Sequence, residues 1–140
     1  MWFLPGRLAV VCAISAAILF GGSARAQNAL TPVVGGSAIS SLVLKASGGN
    51  LWQVYANCTA ACWLMVFNAT AVPANGATTA GVAPGNLVEC IAIPINGIGA
   101  ISFTPGPAAV YSAGITAAIS STACATLTLS AVGFIHGLVQ

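Results

Sequence analysis

The side chains able to carry acid–base, nucleophilic or metal chemistry form a short inventory in this chain. The 140 residues hold one acidic side chain, Glu89, one histidine, His136, and three basic ones, Arg7, Arg25 and Lys45. Paired carboxylates for glycoside hydrolysis and a Ser-His-Asp triad are excluded by count, because no aspartate occurs. Neither a G-x-S-x-G elbow nor a phosphate-cradling glycine loop is present. Nucleic-acid binding needs clustered Lys and Arg, and beyond residue 26 Lys45 stands alone. Glu89 precedes Cys90 and alternates to the opposite face of a strand, where a solvated carboxylate or an ion partner for Lys45 is the ordinary reading. The expectation is a protein without catalytic residues, cofactor or metal.

The cysteines are the more informative reactive groups. Four of the five, Cys58, Cys62, Cys90 and Cys124, lie beyond an export-signal pattern, and an even number in an exported chain reads as disulfides. Three pairings are open. Cys58 with Cys62 and Cys90 with Cys124 is favoured, because Asn57-Cys58-Thr59-Ala60-Ala61-Cys62 sits between two apolar runs like a clipped hairpin loop. The second bridge would then join two distant strands. A zinc or redox site is the alternative, but no C-x-x-C pair exists and His136 is the one nitrogen ligand on offer.

The first 26 residues read as a signal peptide: Arg7, an apolar run from Leu8 to Phe20, and Ser23-Ala24-Arg25-Ala26 as a cleavage site. The run is shorter than the about 20 residues of a spanning helix and ends at Gly21-Gly22. Cleavage after Ala26 would place the protein in the periplasm or outside the cell, with no membrane span in the mature chain. It would also remove Arg7 and Arg25, so the +2 of the whole chain falls to the cancelling charges of Lys45 and Glu89.

From Gln27 onward, short runs of β-branched and aromatic residues alternate with Gly, Pro and Asn, and none keeps helical spacing. The pattern is all-β. Strands are expected at Ser41–Ala46, Leu51–Ala56, Trp63–Asn68, Leu87–Ile93, Ala100–Phe103, Ala109–Tyr111, Gly114–Ser120 and Thr126–Ile135, the last as two strands or one bent one. Trp63-Leu64-Met65-Val66-Phe67 is apolar throughout and reads as a central strand covered on both faces. The spacing fits a single antiparallel β-sandwich or jelly roll over 41–140, after a flexible arm at 27–40. The loop from Ala71 to Asn86 carries two similar turn pentads, which place Asn75 and Asn86 on a contact surface. Trp52, Tyr55 and Trp63 are the candidates for a second such surface, suited to stacking on a sugar, although aromatics on strands are ordinarily core residues.

A soluble domain normally carries about a quarter charged residues, which keep exposed strand edges apart. This chain carries 3%. A surface of Ala, Gly, Ser, Thr and Asn costs little to desolvate, so it suits repeated contact with copies of itself or with another protein assembly.

Ser41-Leu42-Val43-Leu44-Lys45-Ala46-Ser47-Gly48-Gly49-Asn50-Leu51 and the stretch from Trp63 through Gly76 carry a resemblance that continues through Val88-Glu89-Cys90, Phe103-Thr104-Pro105-Gly106-Pro107 and Ser120-Ser121-Thr122-Ala123-Cys124. Over these segments the chain resembles small phage-like and bacterial exported β-sandwich proteins, virion- or surface-associated and without an assigned role. The resemblance implies a Cys90–Cys124 bridge and transfers no catalytic residue. The chain departs from that set in its signal and in Cys58 and Cys62, which suggests a chromosomal, exported version. The resulting expectation is a non-enzymatic structural or coat-type protein that self-associates or decorates a larger assembly. A carbohydrate- or protein-binding module is the alternative.

Overall fold

The computed structural model describes residues 29–78, 87–103 and 108–140. Among them nine strands form: β1 (Thr31–Val34), β2 (Ser41–Lys45), β3 (Gly49–Cys58), β4 (Cys62–Asn68), β5 (Leu87–Ile93), β6 (Gly97–Ser102), β7 (Ala109–Tyr111), β8 (Ile115–Ser120) and β9 (Gly133–Val139). All pairings are antiparallel. A front sheet runs β1-β9-β3-β6, with β7 in line with β6 on the same side of β3, and a back sheet runs β2-β8-β4-β5. The two pack face to face as a β-sandwich, the fold class that the short alternating runs imply.

Alternation decides what lies between the sheets. Leu51, Val54, Ala56 and Cys58 of β3, Leu64 and Val66 of β4, Ile115, Ala117 and Ile119 of β8, and Ile135 and Val139 of β9 all belong to one buried cluster. The sheets approach closely at Gly137, where an added Cβ would lie 2.6 Å from Leu44 Cδ2 across the gap. Gly133 is required for a different reason, since a Cβ there would overlap the carbonyl oxygen of Asn57.

The apolar run in β4 is explained by a second core. Met65 and Phe67 point away from the sandwich interior and pack with Ala118 and Leu127 beneath Ala69, Val72 and Leu129. The back sheet is therefore roofed. The roof occupies the region expected to hold a strand from Thr126 to Ile135. That expectation is corrected: Thr126 and Leu129 make isolated bridges to Thr78 and Ser120, and the strand itself starts at Gly133 and runs to Val139. The cause is side-chain capture of backbone amides, which removes them from a ladder. The Thr128 amide donates to Ser120 Oγ at 3.0 Å and the Leu129 amide to Asn75 Oδ1 at 2.8 Å.

Three other placements differ from the reading of the sequence. Within the segment taken as a flexible arm, Thr31–Val34 pairs with β9 as an edge strand, a position that tolerates Pro32. Cys58 and Cys62 are bonded, with Cα atoms 6.4 Å apart, but they close a corner and no hairpin, because β3 lies in the front sheet and β4 in the back. Cys90 and Cys124 are bonded as expected, with Cα atoms 6.0 Å apart, yet Cys124 sits on the roof and not on a strand.

The longer bridge should dominate stability, because it closes the larger loop and pins the roof to β5. On loop-closure entropy it is worth about 4 kcal/mol and the corner bridge about 2 kcal/mol. Replacing Cys90 and Cys124 by Ala should therefore lower the urea midpoint roughly twice as far as replacing Cys58 and Cys62. It should also open the roof segment to limited proteolysis before the sheets unfold.

Candidate functional site

Among the described residues nothing packs over the outer face of the front sheet as the roof packs over the back sheet. Register arranges that face in rows across β1, β9, β3 and β6. One row is Pro32, Leu138, Gln53 and Ser102; the next is Val34, His136, Tyr55 and Ala100; a third holds Phe134, Asn57 and Ile98. These residues alternate with inward-facing neighbours, so one strand period supplies both the core and the face.

At the centre stand three rings. Tyr55 and His136 are directly opposite across the β3–β9 ladder and stack with centroids 5.0 Å apart and planes 19° from parallel. Phe134, two residues before His136, meets the imidazole edge-on at 4.9 Å and Tyr55 at 6.4 Å. Such cross-strand and diagonal aromatic contacts contribute roughly 0.5–1.5 kcal/mol beyond area burial. The ridge they form is flanked by two shallow grooves. One, of about 260 Å3, is lined by Pro32, Val34, Gln53, Tyr55, His136 and Leu138. The other, of about 340 Å3, lies against Phe134 beside Ala38, Asn57, Thr59 and Val132. No Lys, Arg, Asp or Glu lies on this face among the described residues.

The two charged side chains in the described chain stand elsewhere, one on each edge of the back sheet. Lys45 ends β2 and reaches across the gap to the front sheet, so that a Cβ on Gly49 would lie 2.8 Å from its Nζ. Glu89 of β5 pairs in register with Val66, an inward-facing core residue, and is itself half-buried. Across the interior, Tyr111 is buried with a hydroxyl that has no hydrogen-bond partner. Its pKa is pushed up to about 12, first by desolvation and then by the negative charge of Glu89.

The structure does not bring the expected contact residues together. Tyr55 lies on the front face. Trp52 occupies the β3 position where register with β9 shifts, is half-buried, and has an indole Nε1 buried without a partner. Asn75 belongs to the roof of the back sheet, on the opposite side of the sandwich, and its side chain is used in holding Leu129. Asn86 lies outside the described residues. His136 was weighed as a metal ligand and not as a surface residue beside Tyr55, and Phe134, Val34 and Ile98 were not singled out by sequence reasoning. The signal for the first two is the alternation Phe134-His136-Leu138, which a strand ending at Ile135 cuts short. Among the described residues no three His, Cys, Asp or Glu side chains gather as a metal site would require. No protein-family model, no curated protein and no solved structure matches the chain.

The buried Tyr111 yields a pH dependence of defined sign. Its pKa is higher folded than the usual value near 10, so between roughly pH 10 and 12 the folded state holds a proton that the unfolded state has lost. Stability is present in full below pH 10 and should fall by of order 2 kcal/mol as pH rises toward 12. Tyr111→Phe should remove that slope in thermal melts. Near pH 7 it should cost little, because it deletes an unpartnered buried hydroxyl and keeps the ring.

Proposed function

We propose that this is an exported, non-enzymatic structural protein that associates with its own copies or decorates a larger assembly through its front sheet. The observation that carries the reading is the uncharged outer face of that sheet, with Val34 66% and Ile98 68% exposed on either side of an aromatic ridge. Exposed apolar side chains on an uncharged face suit a contact surface, and among the described residues no charged side chain opposes the approach of an identical face. The two disulfides fit an oxidising compartment outside the cytoplasm, and the signal pattern in the first 26 residues supplies a route there. The resemblance to phage-like and bacterial surface proteins points the same way.

A second reading, a glycan- or protein-binding module, rests on the groove beside Tyr55 and His136. Its apolar floor and the amide of Gln53 are the elements with which a sugar or a short peptide is held.

Light scattering coupled to size exclusion on the oxidised protein, over a concentration series, separates the readings. Discrete oligomers or fibres that grow with concentration are expected, and Val34→Lys or Tyr55→Lys should shift them toward monomer. A strict monomer that binds a glycan panel saturably, with binding lost in Tyr55→Ala while the fold is kept, would replace the structural reading with the binding one.

A further inference from the structure

The turn between β5 and β6 makes two demands on its sequence. The Gly97 amide donates to the Pro94 carbonyl at 2.9 Å, and Asn96 holds a φ of 55° at the third position of the turn. That is the pattern of a type II turn, which asparagine tolerates and most side chains do not. The next position must be glycine, because a Cβ on Gly97 would lie 2.7 Å from Pro94 Cγ. The fold therefore places an Asn-Gly pair here. Such a pair is chemically labile, since no side chain on the glycine keeps its amide nitrogen away from the asparagine carboxamide.

The chain has one other Asn-Gly, Asn75-Gly76, and it lies in the roof. There both reacting groups are held, because Asn75 Oδ1 accepts from the Leu129 amide at 2.8 Å and the Gly76 amide donates to the Leu127 carbonyl at 2.8 Å. Freeing them would uncover Leu127, which is fully buried with Met65 and Phe67. Local opening of the roof thus disturbs the second core.

Opening the β5–β6 turn breaks one backbone bond. Pro94, Ile95 and Asn96 are exposed, and among the described residues no hydrogen bond holds the Asn96 carboxamide. Opening also lets Asn96 leave the left-handed region, which is unfavourable for a residue with a Cβ.

We infer that Asn96 is a site of spontaneous deamidation in the folded protein, and that the roof spares Asn75. The Gly97 nitrogen attacks Asn96 Cγ and a C–N bond forms, while the side-chain nitrogen leaves as ammonia with the proton given up by the Gly97 amide. Water then opens the cyclic imide at either carbonyl, which leaves aspartate or isoaspartate. Charge is scarce enough for this to matter. Beyond residue 26 the formal charges of Lys45 and Glu89 cancel, so one new carboxylate makes that chain net negative beside Ile95 and Ile98, which are 65% and 68% exposed. Isoaspartate would also lengthen the backbone between Ile93 and Gly97, the residues paired with Cys62 and Cys58 at the bonded corner.

Incubation of the oxidised protein at mildly alkaline pH, followed by ion exchange and peptide mapping by mass spectrometry, tests this. An acidic species should accumulate and map to Asn96 as a mixture of aspartate and isoaspartate, with Asn75 slower by roughly tenfold or more, as two retained hydrogen bonds imply. In the reduced chain unfolded in guanidinium the two sites should react at similar rates. Asn96→Gly, which suits the same φ, should keep the circular dichroism of the parent and form no acidic species at the parent's rate. The inference is overturned if Asn75 keeps pace with Asn96 in the folded protein, or if folding slows Asn96 as much as it slows Asn75.

Discussion

The structure depends on the burial of β4 and β8 on both faces. A strand pair with apolar residues on one side can close a two-layer sandwich and leave its other side to water, but Met65 and Phe67 of β4 and Ala118 of β8 are fully buried on the side away from the interior. Something must cover them, and neither sheet can. The cover is irregular chain, and irregular chain brings backbone amides and carbonyls that need partners. They find them locally: Leu127 exchanges bonds with Gly76 and Ala77 at 2.8 Å each, Thr122 Oγ1 donates to the Thr126 carbonyl at 2.6 Å, and Ser120, fully buried, bonds at several points around its hydroxyl. The abundance of Ser, Thr and Asn in this stretch thus has a structural reason. The Cys90–Cys124 bridge then fixes the cover to the sheet that requires it.

This solution makes the two sheets unlike. The back sheet is enclosed by its roof, and each of its edges holds one of the two charged side chains at an inward position. Among the described residues the outer face of the front sheet has neither roof nor charge, and it is covered in part by rings that lean on one another. Tyr55 against His136 and Phe134 against both shield β9 and β3 at their crossing, while Val34 and Ile98 at the flanks stay open. The asymmetry distinguishes the two outer faces in a way that composition alone does not contain.

Much of the fold was legible because a period of two is hard to mistake where residues alternate cleanly. Leu87–Ile93 and Ala109–Tyr111 have the bounds read from sequence, and the run at Trp63–Phe67 announced its double burial by having no polar face. The disulfide pairs were legible from spacing, but their setting was not, since nothing in Asn57–Cys62 distinguishes a hairpin from a corner between sheets. Leu127-Thr128-Leu129 alternates as a strand does, and its leucines do face the back sheet, yet Ser120 and Asn75 intercept the amides that would have formed a ladder. Such capture depends on residues as many as 54 positions away and cannot be seen locally. The front face was half legible: Tyr55 stood out as an aromatic, while its partner His136 became visible only when the ladder placed the two side by side.

The scarcity of charge sharpens what the remaining charges do. A surface charge far from others contributes little to stability, and one turned inward on an edge strand pays desolvation, so neither position is an obvious gain to the isolated fold. The inward position has another consequence. A strand arriving at β2 or β5 would bury Lys45 or Glu89 more deeply, and the cost would fall on the complex. The negative charge of Glu89 adds to the rise of the Tyr111 pKa, second to desolvation. With both charges of the described chain at the back sheet, electrostatics offers no resistance at the outer face of the front sheet.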